Sequence, residues 1–578
     1  MTERIYFQDN RDGSCDILIV VDRLDAEFGR DLFSGELFRK ILKTVGDGKK
    51  VVAVRTVKLI VSGGLTLAIP FSQFASQAAS DNSKYAMSYI YFGTAAEQIQ
   101  YVNLSAKTLN TVSPAYFELN SDGSLKTNNI SESFVSSMKN QGIKVVPFLS
   151  NGWNRQTGIN ALNNMDQLTD SIVQAVTSNG LDGVNIDIEN LTEAQRDQHT
   201  LFVKMLREKM PLDKEVSIAV AANPWAGTTG WQGSYDYAAL SQYVDYMLVM
   251  AYDEHYSGGD QGAVASIGFV ENSIKYALNH VPKEQIVIGI PFYGRLWSTD
   301  GTIKGEGISL KRISELSQKY RSKVFYDEAS GTPVLHITVD EPFTLNGKTI
   351  KNGNYAIWYE NADSIKQKLN LVGKYGLKGA GNWSAGQETA DVWDYYELWL
   401  NGHFFSDISA SFAKDDIIRL TSDGIIRGVS NTLFGPEAKL TRAQAAVILA
   451  RTLGLSTETG GAGFSDTAGY WAEKEIAAAR AAGLLTGYAD GTFRPEAAIS
   501  RDEMAAIIAR MLGSTYSPGE GTPFSDVGEG YWAYDEIMSL AKLGILRGYS
   551  DNTYRPQNNL TREEAAAIIE RAREASDS

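Results

Sequence analysis

The run Leu-Asp-Gly-Val-Asn-Ile-Asp-Ile-Glu at Leu181–Glu189 alternates polar and apolar side chains with a period of two. Read as a strand, it turns Asn185, Asp187 and Glu189 to one face and Val184, Ile186 and Ile188 to the other. An amide and two carboxylates aimed into one half-buried space cost free energy unless they are paired or put to use. Neighbouring carboxyl groups raise each other's affinity for protons, so one of them can stay protonated near neutral pH. Such a pair suits acid–base chemistry, with Glu189, last on the strand, as the proton donor and Asp187 as the charge beside it. The neutral Asn185 removes a third like charge and is expected to donate a hydrogen bond to Asp187, keeping it ionised and aimed. The competing reading is a plain strand with a polar outer face, entered through an ordinary Asp182-Gly183 turn.

The elements around this run must hold it in place. From about Lys84 to Asn401 short β-rich runs alternate with helical stretches. The expected strands are Ala86–Phe92, Thr111–Phe117, Lys144–Leu149, Gly183–Glu189, Val216–Ala222, Tyr246–Tyr252, Ile286–Tyr293 and Gly379–Trp383. Met165–Ser178, Thr192–Lys209 and Ala362–Tyr375 carry apolar residues at helical spacing between them. Eight such units in about 300 residues predict an α/β fold, a (β/α)8 TIM barrel over residues 84–401. A longer excursion over about 296–359 reads as a small α+β insertion between the last two strands. Residues 1–80 read as a small N-terminal domain, with a hairpin made by Val51–Val61, the Ser62-Gly63-Gly64 turn and Leu65–Phe71. A Ser/Ala/Gln/Asn-rich linker, Ser72–Ser83, follows it.

Composition narrows the classes. At 578 residues the chain needs several cores, and its 43% hydrophobic and 21% charged content is that of globular protein. A net charge of −15 argues against nucleic acid and anionic membrane as partners, and no apolar run reaches the length of a membrane span. The single Cys15 excludes an internal disulfide, and five scattered histidines lack ligand spacing, so neither metal nor cofactor is expected.

The last 175 or so residues repeat three times, over 404–458, 463–515 and 523–575. Each unit opens on Phe-Ser-Asp (Phe405, Phe464, Phe524), passes a Gly-x-x-x-Gly segment at Gly424, Gly483 or Gly544, and reaches an aromatic-x-Pro at Phe434, Phe493 or Tyr554. It closes on Leu440-Thr-Arg, Ile499-Ser-Arg or Leu560-Thr-Arg before an Ala-rich helix, the Thr or Ser well placed as an N-cap. Three units too short to bury a face alone are expected to associate as one α-rich module. The repeats resemble S-layer homology domains. That resemblance implies grooves that bind a secondary cell-wall polysaccharide, typically pyruvylated, with Arg442, Arg501 and Arg562 facing the ketal carboxylate and Trp471 and Trp532 supporting sugar rings. Repeat one departs from the pattern, with Phe412 for tryptophan and Gly435 for the arginine seen at Arg494 and Arg555, which predicts a weak groove. A cell-surface or cell-wall location follows, although Met1–Asn10 show neither the basic start nor the apolar core of a secretion signal.

The barrel region has a likeness of its own. The Asp182-Gly-x-x-x-Asp187-x-Glu189 run, Met250-Ala-Tyr-Asp253, Pro291-Phe-Tyr-Gly294 and Gly381-Asn-Trp383 resemble glycoside hydrolase family 18, with Asn185 where the family usually has aspartate. The context of Asn185 and the segment Tyr355–Ala362 look closest to its spore cortex-lytic and cell-wall N-acetylglucosaminidase branch. The resemblance implies a retaining cleavage of β-1,4-linked N-acetylglucosamine glycan without an enzyme nucleophile, the substrate's own acetamido oxygen attacking instead. Glu189, Asp187 and Tyr252 are then the catalytic residues. Asn185, Asp253, Met250, Trp383 and Tyr293 are expected to bind substrate, with Trp297 equally a cleft or a packing residue and Asp253 equally a helix cap. Peptidoglycan or cortex fragments are the favoured substrate, chitin the alternative. A non-catalytic glycan-binding envelope protein is the other class, and the intact Glu189, Asp187 and Tyr252 speak against it.

Overall fold

The computed structural model describes residues 83–105, 108–457, 464–513 and 524–576 in full, and within the first 82 residues the backbone of four strands. These are β1 (Arg4–Asp9), β2 (Cys15–Val21), β3 (Val54–Val61) and β4 (Gly64–Pro70). They form a sheet in that order, antiparallel except for the parallel β2–β3 pair. The expected hairpin is the β3–β4 pair, while Ser62, Gly63 and all of the expected linker but Ser83 lie outside the described residues.

The next strands are β5 (Tyr85–Ile90), β6 (Thr111–Pro114), β7 (Phe117–Leu119), β8 (Leu125–Thr127), β9 (Lys144–Val145), β10 (Phe148–Ser150) and β11 (Gly183–Asp187). After them come β12 (Glu215–Ala221), β13 (Tyr246–Met250) and β14 (Ile286–Pro291). The inserted strands are β15 (Tyr293–Ser298), β16 (Glu306–Ser309), β17 (Arg321–Asp327), β18 (Thr332–Val339), β19 (Phe343–Leu345), β20 (Lys348–Ile350) and β21 (Gly353–Trp358), and β22 (Gly379–Trp383) returns to the main sheet.

That main sheet has eleven strands, in the order β8-β7-β10-β11-β12-β13-β14-β22-β5-β6-β9. Its two ends are joined. β9 and β10 are halves of one extended run broken only by Val146-Pro147, and the Val146 amide donates to the Val112 carbonyl across the join (2.9 Å). The result is the TIM-barrel-like fold, its strands parallel from β7 through β10 to β22 and from β5 through β6 to β9, with β8 a short antiparallel appendage on β7. Strands such as Val-Ser-Ile-Ala-Val-Ala and Tyr-Met-Leu-Val-Met are buried along their whole length, as a parallel strand covered on both faces requires. Helix Met165–Ser178 falls on the span expected from its spacing; helix Arg196–Lys209 starts after a 3-10 turn at Glu193–Gln195.

The insertion builds a five-stranded sheet, β16-β15-β21-β18-β17, with helix Leu310–Lys319 on it and the β19–β20 hairpin at its side. It stands beside the carboxyl ends of the barrel strands and supplies one wall of the cleft described below. Among the described residues no helix is long and apolar enough to cross a membrane.

Each repeat contributes two helices: Lys414–Ser422 with Arg442–Thr452, Glu473–Ala481 with Arg501–Leu512, and Tyr534–Lys542 with Arg562–Ser576. Thr441 and Ser500 cap their helices in reciprocal boxes with Gln444 and Glu503. A ring of backbone hydrogen bonds joins the three units cyclically: Leu440 donates to Leu560, Leu560 to Ile499, and Ile499 to Leu440. The first repeat also touches the barrel, where Lys366 Nζ donates to Asn431 (2.7 Å) and Trp399 packs on Phe404 (4.7 Å between rings).

The three arginines lie at the joins between repeats. Arg442, Arg501 and Arg562 are buried, each reaching into the next repeat rather than into solvent. Arg442 donates to the carbonyls of Phe493 and Thr486 and to Glu503; Arg501 donates to those of Tyr554 and Arg547 and to Glu564. Arg562 donates to the carbonyls of Phe434 and Arg427, and Gln444 stands where the other two grooves have glutamate. Burial lowers Arg562 to about 10. The reason is steric. The first turn of each second helix packs under the neighbouring Phe-x-Pro or Tyr-x-Pro loop, whose unpaired carbonyls need donors. Exposed beside them are Trp471 and Trp532, the latter donating to Asp502 (3.1 Å), and Phe412 in the first repeat. Substituting Arg501→Ala strands the buried Tyr554 carbonyl, the part-buried Arg547 carbonyl and a half-buried glutamate. Calorimetry of the full chain is expected to show the repeat module destabilised by about 3–5 kcal/mol.

Candidate active site

The carboxyl ends of the barrel strands open on a cleft of about 1160 Å³. Seven of the eight expected site residues line it: Asp187, Glu189, Met250, Tyr252, Asp253, Tyr293 and Trp383. The eighth, Asn185, is wholly buried below the floor. Strand β11 ends at Asp187, so Glu189 is not the last strand residue but stands two positions beyond it.

Asn185 does not serve Asp187. Its Nδ2 donates to Ser217 Oγ (2.9 Å), and its Oδ1 accepts from Tyr89 OH (2.9 Å). Same-face neighbours along a strand stand about 7 Å apart and parallel, whereas Ser217 is the in-register partner on β12. The amide therefore spends its hydrogen bonds across the barrel interior. It holds Tyr89 upright, and the Tyr89 ring in turn packs on Trp383 (5.1 Å). Trp383 also meets Tyr91 and Phe148, and with them forms an aromatic floor.

Asp187 Oδ1 is buried and has no protein hydrogen-bond partner among the described residues. Burial lifts this carboxyl from the ordinary aspartate range to about 7. Glu189 is pushed well above the usual glutamate range by burial, then by the charges of Asp187 and Asp253. Two carboxyl groups thus share one desolvated space, one of them protonated near neutrality and the other unsatisfied and aimed into the cleft. That pairing is costly for the fold and suited to general acid chemistry on a bound substrate.

Tyr252 follows β13 after Met250 and Ala251, and its ring fits only because Gly289 leaves room on β14. A Cβ at Gly289 would lie 2.8 Å from Tyr252 Cε1 and 2.9 Å from the Val249 carbonyl. Burial raises the Tyr252 hydroxyl well above its ordinary value, so it stays a hydrogen-bond donor. Asp253, in a left-handed conformation (φ 57°), caps no helix. Its carboxylate takes a bidentate pair from Arg295 (2.8 and 2.6 Å) and a hydrogen bond from Tyr293 OH (2.7 Å). Tyr293 therefore lines the cleft in a fixed orientation, while Trp297 is buried in the insertion and donates to the Gly259 carbonyl (3.2 Å).

Tyr89, Arg295, Asn151 and the exposed Trp153 and Trp225 join the site without standing out in the sequence. Arg295 directly follows the Pro-Phe-Tyr-Gly run, and its proximity to a motif was the one available signal. The others sit at strand ends whose side chains meet only after the barrel closes. Among the described residues no group of acidic, histidine or cysteine side chains is arranged to hold a metal ion.

Residues 84–388 match the family profile described as glycosyl hydrolases family 18, and residues 404–446, 463–505 and 523–566 each match that of the S-layer homology domain. A Bacillus subtilis (strain 168) protein described as a sporulation-specific glycosylase, YdhD, is 30% identical over 241 residues, 40% of this chain and 54% of its own length. The cortical fragment-lytic enzyme of the same organism is 28% identical over 232 residues, 39% of this chain and 52% of its own. The chain therefore spans about half the length of these curated relatives. The crystal structure of the Bacillus cereus spore cortex-lytic enzyme SleL aligns with a TM-score of 0.49 at 21% identity, covering 55% of this chain and 74% of that one.

Proposed function

We propose that this chain, which belongs to glycosyl hydrolases family 18, hydrolyses β-1,4 bonds of N-acetylglucosamine-containing glycan at the cell surface. Peptidoglycan or cortex fragments are the preferred substrate. The observation that carries the reading is the meeting of Glu189, Asp187 and Tyr252 in one desolvated cleft at the carboxyl ends of the strands. Relatives described as a glycosylase and a cortical fragment-lytic enzyme support the choice of substrate.

The chemistry proceeds by substrate assistance with retention. Protonated Glu189 donates its proton to the glycosidic oxygen as the bond to the anomeric carbon breaks. The acetamido oxygen of the same sugar forms the new bond to that carbon, giving an oxazolinium ion. Asp187, whose Oδ1 has no partner among the described residues, accepts the acetamido N–H and balances the positive charge. Tyr252 donates to the acetamido oxygen from the other side. Glu189, now a carboxylate, takes a proton from the water that opens the ring. Trp383 is the floor under the sugar, and Met250 and Tyr293 are its walls.

The repeats hold the enzyme to a secondary cell-wall polysaccharide, pyruvylated in the form the family likeness implies. In this reading the exposed Trp471 and Trp532 support the polymer's sugars, and the three buried arginines shape the grooves from beneath.

The test is mass spectrometry of the products formed from purified peptidoglycan and from chitin oligomers. New reducing ends on N-acetylglucosamine from peptidoglycan are the expected result. Cleavage of chitin oligomers alone moves the substrate to chitin, and cleavage of neither with glycan binding intact leaves a lectin-like protein.

A further inference from the structure

The pairing of β10 with β11 ends at Ser150 and Asp187, yet the acid of the proposed mechanism lies two residues further on. A side chain replaces the missing backbone partner. Asn151, almost fully buried, accepts from the Glu189 amide at Oδ1 (2.9 Å) and donates from Nδ2 to the Glu189 carbonyl (2.8 Å). The same Nδ2 donates to the Asn154 carbonyl (2.9 Å), and Gly158 lets helix Arg155–Asn163 close over it, since a Cβ there would lie 3.2 Å from that nitrogen. A primary amide presents one acceptor and two donors, and all three are used here.

The residues on either side of Glu189 are held as well. Arg155 donates to Asn190 O (2.7 Å) and Asn190 Oδ1 (2.9 Å), and Asn190 Nδ2 donates to the Trp153 carbonyl (2.9 Å). Asn190 and Trp153 are both left-handed (φ 60° and 63°), a conformation that costs free energy unless contacts such as these hold it. Upstream, Tyr235 OH donates to the Ile188 carbonyl (3.2 Å) and accepts from Trp231 Nε1 (3.1 Å). Trp231 meets Trp153 edge to face at 4.9 Å, and both line the cleft. Glu189 is thus bracketed by two hydrogen-bonded paths that meet at one pair of tryptophans on the cleft wall.

We propose that Asn151 is a positioning residue that sets the height of Glu189 in the cleft, and that Arg155 and Asn190 tie that height to the Trp153–Trp231 wall. A sugar resting on the wall is thereby registered against the acid. This rests on the functional reading above, so the test includes a measurement independent of turnover.

In the full chain, the Glu189 amide is expected to resist hydrogen exchange and to lose that protection in Asn151→Ala. Displacing an acid by an ångström costs about 10²-fold in rate, so kcat in Asn151→Ala is expected to fall by about that factor with KM within about threefold. Asn151→Asp keeps the acceptor for the Glu189 amide and loses both donors. Its added negative charge raises the Glu189 pKa, so the alkaline limb of the pH–rate profile is expected to move upward. Arg155→Met is expected to raise KM as the wall loses its register. Unchanged protection at Glu189, or an Asn151→Ala kcat within about threefold of the parent, overturns the proposal. So does an Asn151→Asp profile that drops uniformly without shifting, because packing alone would then explain the loss. If the parent protein cleaves neither glycan, the functional reading falls by itself and exchange at Glu189 decides the clamp.

Discussion

Glu189→Gln is expected to lower kcat on peptidoglycan by about 10³–10⁴-fold while leaving KM near the parent value. The amide keeps the shape and polarity of the carboxyl but has no proton of the required acidity to give to the leaving oxygen. The size of the effect follows from the environment. Burial and two neighbouring carboxylates push Glu189 well above its ordinary range, so at neutral pH the parent holds the proton that the reaction consumes. The parent's rate should accordingly fall on the alkaline side as Glu189 ionises, and in the variant that limb should disappear with the activity. Residual turnover within tenfold of the parent, with the alkaline limb intact, would identify another group as the acid.

Asp187→Asn is expected to separate activity from stability. Turnover should drop by about 10²–10³-fold, because the amide cannot balance the positive charge that develops on the acetamido group. The fold should gain. Asp187 binds its proton more tightly folded, with a pKa of about 7, than unfolded, where it has the ordinary aspartate value. A group with a raised folded pKa contributes stability that is fully present below the unfolded pKa and is lost as pH rises through the folded one. The parent is therefore penalised above about pH 7 for an ionised, unsatisfied, buried carboxylate, and asparagine carries no such penalty. Thermal unfolding across pH should show parent and variant converging in acid, with the variant melting a few degrees higher in mildly alkaline buffer. A constant difference across that range would mean that Asp187 is not the group that pays for the site.

Much of the barrel was legible because parallel strands covered on both faces must be apolar throughout, and the runs around Ile218, Val249 and Ile288 are. Helix spacing was equally readable at Met165–Ser178, where one apolar stripe meets the strands. The repeats were legible because the same cap, loop and helix recur three times, and Thr441 and Ser500 do cap as their positions require. Seven of the proposed site residues lie at strand ends that the barrel gathers into one cleft. Strand ends were less clear: the period-two pattern continues through Glu189, but the ladder stops at Asp187 because the partner strand turns away after Ser150.

The sequence by itself determined the order of elements, the threefold repeat and which side chains could carry acid–base chemistry, since these depend on local periodicity and residue type. The tertiary structure alone decided what those side chains bind. Asn185 lies two residues from Asp187 on the same face, yet its partners are Ser217 and Tyr89, brought there by neighbouring strands. Read along the chain, the arginine after each Thr or Ser is a cation suited to an anionic ligand. Placed against the next repeat, it meets unpaired carbonyls first, because a buried acceptor takes the nearest donor whatever its distance in sequence.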